Sequence, residues 1–192
     1  MLILASQSPR RQEILLRAGI PFLSRLAVAN EERIGDEDPR EHVCRLARQK
    51  AESVPAAPDE IILAADTVVV IEGHVLGKPS DHEHAAWMLG RLSGREHEVV
   101  TGICLRAGGR IIVDVASTRV RFVPLSDREI ADYVASGEPM DKAGAYAIQG
   151  LASKFIDRVQ GCYFNVVGLP VALVYRRLKE LPASTWETAG DI

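Results

Sequence analysis

Apolar positions change their period several times along this chain, and each change marks an element. Residues 2–5 form an unbroken apolar run that reads as a short buried strand, and residues 12–18 carry the spacing of a helix that Gly19 stops. Ser8 falls at the N-cap of that helix and Pro9 at its first turn, where the missing N–H of proline is harmless. Residues 20–24 predict a strand, and residues 36–40 a loop capping a second helix over about 39–53. Val43, Leu46, Ala47 and Lys50 share one face of it. After a proline-rich break at 55–59, residues 61–71 read as a strand that Glu72-Gly73 turns into a return strand over 74–76. A third helix is predicted from Asp81 through Leu92, ended by Ser93-Gly94. Residues 98–107 and 110–123 alternate as two long strands about a Gly108-Gly109 turn, and Ser126 with Glu129 forms a capping box for a helix to about Ala135. A further strand is expected within 151–159, a terminal helix over 169–181 with Pro170 at its start, and a frayed tail over 183–192.

Strands and helices interleave, but two antiparallel hairpins interrupt the pattern. The expected class is therefore α/β with a mixed, twisted sheet flanked by helices, not a purely parallel one. No repeat or long linker divides the chain, so one domain is expected over 1–182. With 192 residues and 47% hydrophobic content it can bury a core as one body or two joined lobes. A net charge of −3 argues against a nucleic-acid or membrane-surface partner, so an anionic ligand would need a local cationic pocket. Cys44, Cys104 and Cys162 fit neither a disulfide framework nor a zinc site and point to a reducing cytoplasm. Four apolar residues after Met1 make no signal peptide, and the 61–71 run, broken by Asp66-Thr67, is too short to span a bilayer; a soluble chain is expected.

Arg10 and Arg11 stand in the first turn of the first helix, where the dipole favours anions and disfavours cations. Either they are solvated residues of an ordinary capped helix, or they join the hydroxyls of Ser6 and Ser8 and the helix N–H groups in a cradle for a phosphate chain. Asp66 interrupts a segment that is otherwise apolar: it opens to a cleft, or marks a bulge with its carboxylate on backbone N–H groups. Lys50 snorkels out or reaches a buried anion, and Lys78, between Gly77 and Pro79, is a solvated loop lysine or a rigidly presented one. Glu31 and Glu32 are surface charge, or one of them holds a divalent metal with Asp66. Residues 138–150 read locally as a flexible loop in which Gly144 and Gly150 permit close approach and Gln149 offers a donor and an acceptor in one plane. The five histidines are read as structural or surface, and neither a P-loop nor a G-x-G-x-x-G is present.

Taken in order, Leu4-Ala-Ser-Gln-Ser-Pro-Arg-Arg11, Ala65-Asp-Thr-Val-Val69, Gly77-Lys-Pro79, Leu92-Ser-Gly94, Thr101-Gly102, Asp141-Lys-Ala-Gly-Ala-Tyr146, Ile148-Gln-Gly150 and Val167-Gly-Leu-Pro170 resemble the Maf family of nucleoside triphosphate pyrophosphatases. The resemblance implies an inosine-triphosphatase-like α/β fold with two lobes around a central cleft, often as a homodimer. It implies a house-cleaning hydrolase that splits a nucleotide between its α- and β-phosphates with the help of Mg2+ or Mn2+. By position, Asp66 is similar to the family's proton acceptor, and Ser6, Arg10, Arg11, Lys50 and Lys78 to its triphosphate grip. Glu32 is similar to the metal-associated acid beside Asp66, with Glu31 as a substitute. Arg11, Thr67 and Gln149 resemble the set of the branch acting on dTTP and UTP. Two rival readings stay open: the same hydrolysis aimed at a modified purine nucleotide, and a non-catalytic nucleotide sensor acting on septum formation through a partner.

Overall fold

The structure, a computed structural model, describes residues 1–30, 32 and 34–181; Glu31 and the expected tail over 183–192 lie outside the described residues. In chain order the elements are β1 (Leu2–Leu4), α1 (Pro9–Arg17), β2 (Leu23–Ser24), α2 (Pro39–Glu52), β3 (Ile61–Ile71), β4 (His74–Leu76), α3 (His82–Leu92), β5 (Glu96–Ala107), β6 (Arg110–Phe122), α4 (Asp127–Ala135), β7 (Ile156–Gln160), α5 (Tyr163–Val167) and α6 (Val171–Leu178). Short 3-10 turns occupy Glu138–Asp141, Ala143–Ala145 and Leu151–Phe155. The strands form one mixed sheet in the order β2-β1-β3-β5-β6-β7, with β4 paired to β3. β2 and β3 run parallel to β1, whereas β4 on β3 and β7 on β6 are antiparallel. This is the mixed α/β sheet that the hairpins predict. No helix among the described residues is long and apolar enough to cross a membrane.

The described residues divide into two compact units, one of 1–66, 101–116 and 168–181, the other of Thr67–Val100 and Ser117–Val167. In the first, α2 lays Ala47 and Ala51 against Ile3, Ala5, Ile62, Ala64 and Cys104. Small residues on both surfaces let helix and sheet approach closely. A Cβ on Gly102 would stand 2.5 Å from the Val43 carbonyl carbon, which is why glycine is required there. Asp38 caps α2, accepting from the Arg40 N–H at 2.8 Å. In the second unit the core is aromatic: His97, Phe122 and Tyr146 meet edge to face, and Phe155 packs against Phe122 and Tyr133. Asp81 caps α3, and Ser126 with Glu129 closes the expected capping box on α4.

Several expectations are corrected. β2 spans two residues, not five, because Ile20 is used to close α1: Gly19 takes φ +66° and the Ile20 N–H donates to the Leu15 carbonyl at 3.0 Å. Ser8 holds the N-cap position of α1, yet its hydroxyl makes no capping bond. The terminal helix stops at Leu178, with Lys179 as its cap, and Leu181 is buried beyond it. α5 was not foreseen; it places Asn165, fully buried, where its Nδ2 donates to the Val99 carbonyl at 2.9 Å and to Thr118 Oγ1 at 3.0 Å. The stretch over 138–150 is not a floppy loop, since residues 144–148 are all buried.

Candidate active site

Ser6 leaves β1 into the turn that becomes α1, and it is buried. Its Oγ accepts from the Ser8 N–H at 3.2 Å and from Arg11 Nη1 at 3.3 Å. Arg11 also donates from Nη1 to the Ala65 carbonyl and from Nε to the Gly168 carbonyl, each at 2.8 Å. One guanidinium thus joins the β1–α1 turn to the residue just before Asp66. Arg10 lies half-buried on the same turn. The first turn of α1 contains no acidic side chain, so its positive end is not compensated by the helix itself.

Lys50 occupies the apolar face of α2 and resolves its two readings by reaching a buried anion: its Nζ is 2.6 Å from Asp66 Oδ1. Asp66 is 8% exposed. A carboxylate set in a strand of Ala and Val needs such a partner, because an unpaired buried charge is strongly destabilising. The bulge reading, with the carboxylate held by backbone N–H groups, is not what is found; Asp66 lies within regular β3 and pairs with a lysine.

Arg45, one turn before Lys50 on α2, was not singled out from the sequence. Its guanidinium grips Glu37 by two bonds of 2.7 and 2.8 Å and donates to the Glu32 carbonyl at 3.0 Å. The Arg45 bond, with His42 beside it, holds the Glu37 carboxyl down at about 2. This brace anchors the loop that carries Glu32. A charged arginine on an otherwise polar helix face gives no sequence signal of it.

Glu32 itself is exposed, with Oε2 3.5 Å from Asn30 Nδ2. Among the described residues, no group of three or more His, Cys, Asp or Glu side chains is gathered to hold a metal ion. A carboxylate oxygen, as on Asp66 or Glu32, is the ligand type that a hard divalent cation takes.

The remaining expected residues belong to the second unit. Thr67 is half-buried on β3, and Lys78 is exposed on the loop after β4. The Gly144 N–H donates to the Gly77 carbonyl at 3.0 Å, tying the Lys78 loop to the 143–145 turn. Gln149 is exposed in a turn that the Gly150 N–H closes onto the Ala147 carbonyl at 3.1 Å. The structure therefore gathers Ser6, Arg11, Lys50 and Asp66 in the first unit, and in the second it ties the loop of Lys78 to the 143–145 turn, with Gln149 in a separate turn a few residues on.

A family model described as Maf-like protein matches residues 1–181. A curated protein of Koribacter versatilis named dTTP/UTP pyrophosphatase is 50% identical over 179 residues, 93% of each chain. One of the same name from Symbiobacterium thermophilum is 53% identical over 171 residues, 88% of each. A solved nucleoside-triphosphatase / dITP/XTP pyrophosphatase of Mycobacterium abscessus is 15% identical with a TM-score of 0.39, covering 63% of this chain and 72% of that one, too slight a likeness to carry an argument. The residues that form the Ser6–Arg11–Asp66 cluster all fall inside the matched span, and the chain belongs to the Maf-like protein family.

Proposed function

We propose that this chain is a hydrolase that cleaves dTTP and UTP between the α- and β-phosphates, releasing the nucleoside monophosphate and pyrophosphate. The observation that carries the reading is the Lys50–Asp66 pair, set beside the Arg11 fork at an acid-free helix N-terminus. The names of relatives about half identical to the chain agree with it.

In-line attack of water on the α-phosphorus needs a base, a positioned nucleophile and neutralisation of the charge that builds on the leaving group. Asp66 is the carboxylate for the water, acting as base or as metal ligand. Ser6, Arg10, Arg11, Lys50 and Lys78 are the grip on the phosphates: Arg10 offers a guanidinium fork that matches phosphate oxygens in pairs, and Arg11, fixed by its bonds to the Gly168 and Ala65 carbonyls, adds its positive charge. In the free protein Lys50 neutralises Asp66; a triphosphate offers its ammonium a second anion and leaves the carboxylate free for water. A divalent ion, Mg2+ or Mn2+, held by Asp66 and Glu32 would screen phosphate charge and lower the pKa of water. Arg11, Thr67 and Gln149 select the base, with the Gln149 amide reading a pyrimidine edge. The three cysteines are free, consistent with a cytoplasmic protein, and we read the functional species as a homodimer.

The test is the purified Asp66→Asn variant assayed for pyrophosphate from dTTP and UTP with Mg2+. It is expected to keep the fold, at a lowered melting temperature because Lys50 loses its counter-charge, and to release none. Near-normal turnover would overturn the assignment, and a panel that includes purine and methylated nucleotides decides the substrate class. Wild type that binds dTTP but hydrolyses nothing in the panel would make it a sensor instead.

A further inference from the structure

The turn that presents Gln149 is held at both ends by a single circuit of hydrogen bonds, and the circuit closes on Glu138. At its start, the Ala147 N–H donates to the Tyr133 hydroxyl at 3.2 Å; that hydroxyl donates to Glu138 Oε1 at 2.8 Å. At its end, the Leu151 N–H donates to Glu138 Oε2 at 3.1 Å. Glu138 is itself fixed. Gly137, at φ +75°, reverses the chain after α4, the Glu138 N–H donates to Ser136 Oγ at 3.2 Å, and Lys142 Nζ donates to the Glu138 carbonyl at 2.8 Å. Burial and the bond to Glu138 push the Tyr133 phenol above its ordinary value, so it stays a donor at any working pH.

Gly150 completes the fit. Its backbone, at φ −107°, is outside the left-handed region, so a positive φ is not why it is glycine. A Cβ there would instead overlap the Glu138 carboxylate. The carboxylate thus packs directly against the backbone next to Gln149, and the absence of a side chain at 150 makes room for it.

We infer that Glu138, through Tyr133 and Gly150, is a positioning residue that sets nucleobase selectivity by holding the 147–150 turn and with it the Gln149 amide. The inference rests on the proposed reading of Gln149 as the residue that meets the base. A free loop would let the amide follow any base edge; a turn tied at both ends offers its donor and acceptor in one fixed order, which penalises a base whose groups do not match.

The experiment measures kcat/KM for UTP and for GTP, and takes their ratio, in wild type and in five variants, with melting temperatures alongside. Gln149→Ala is expected to lower the ratio about tenfold, the worth of one well-made neutral hydrogen bond. Glu138→Ala is expected to lower it comparably, mostly through KM for UTP. Gly150→Ala, which displaces the carboxylate without removing it, reproduces that loss even if Glu138→Ala folds poorly. Glu138→Gln keeps an acceptor for the Leu151 N–H and offers an N–H to the phenol oxygen, so it retains most of the selectivity. The double variant Glu138→Ala/Gln149→Ala is no less selective than Gln149→Ala alone. A wild-type ratio in both Glu138→Ala and Gly150→Ala, with Gln149→Ala impaired, overturns the role of Glu138, as does a double variant whose losses multiply. An unchanged ratio in Gln149→Ala itself overturns the base-reading assignment, and the role of Glu138 falls with it.

Discussion

Lys50 sits on the face of α2 that its neighbours Val43, Leu46 and Ala47 bury, and its side chain is 14% exposed against 12% for that of Asp66. At that depth neither charge is well solvated, and each is tolerated because of the other. Replacing Lys50 by Met keeps the aliphatic stem but strands the carboxylate; breaking such a pair from one side is expected to cost about 3 kcal/mol. For a chain of this size that is a fall in melting temperature of about 10 °C. The double variant Lys50→Met/Asp66→Asn should recover most of the loss, since an amide needs no counter-charge. A double variant as unstable as Lys50→Met alone would show that the pairing is not what holds the lysine in place. The sequence marked both residues as out of keeping with their surroundings, but not that each answers the other, because 16 residues and a change of element separate them. Arg45 escaped notice for a related reason: its partners Glu32 and Glu37 lie on an irregular loop with no period to place them.

Among the elements, α2 and β5 come together at Gly102. The atoms that a Cβ would meet are the Val43 carbonyl and the Cys44 amide nitrogen, backbone that cannot swing aside. Gly102→Ala is therefore expected to destabilise the protein by about 3 kcal/mol, the upper end for overpacking, measured by urea denaturation. Gly150→Ala meets a side-chain carboxylate, which can shift by giving up its bonds to Tyr133 and Leu151 where backbone cannot, and should lose less stability; equal losses would count against this distinction. Elements with local signals were legible. Asp38, Asp81 and the Ser126–Glu129 box start α2, α3 and α4 where their side-chain chemistry says they must, and Gly108, at φ +56°, turns the β5–β6 hairpin. What failed to read locally was the stretch over 138–150. Its glycines and alanines suggest freedom, and it is ordered by bonds to Tyr133 on α4 and Leu151 beyond it, together with the insertion of Tyr146 beside His97.

For the molecule as a whole, acid stability turns on His97. It is 3% exposed, its Nε2 lies 2.8 Å from the Tyr146 hydroxyl, its Nδ1 is buried without a partner, and the rings of Phe122 and Tyr146 meet it edge on. Burial pushes it down from 6.5 to about 3. Below pH 6.5 the unfolded chain takes up a proton that the folded protein refuses until about pH 3, so stability falls as the pH drops through that window. The loss from pH 6.5 to pH 5 is on the order of 2 kcal/mol. Glu37, held at about 2 against an ordinary 4.5, contributes stability that is full above 4.5 and fades only below it. The two are separable: His97→Gln should flatten the dependence between pH 6.5 and pH 5 in urea titrations and leave the steeper fall at lower pH. An undiminished slope in that variant would assign it to other groups.

Read alone, the chain determined where most helices begin, which runs are strands, that the sheet is mixed, and which polar residues stand where apolar ones belong. Capping, turn chemistry and periodicity act within a few residues, so they are written in the order of the chain. Only the tertiary structure decided that Lys50 answers Asp66, that Arg11 spends its fork on the Ala65 and Gly168 carbonyls, and that Glu138 closes the turn of Gln149. Those pairings join positions far apart in sequence, and a charge or hydrogen-bonding group carries no mark of its partner until folding has removed the water that would otherwise satisfy it.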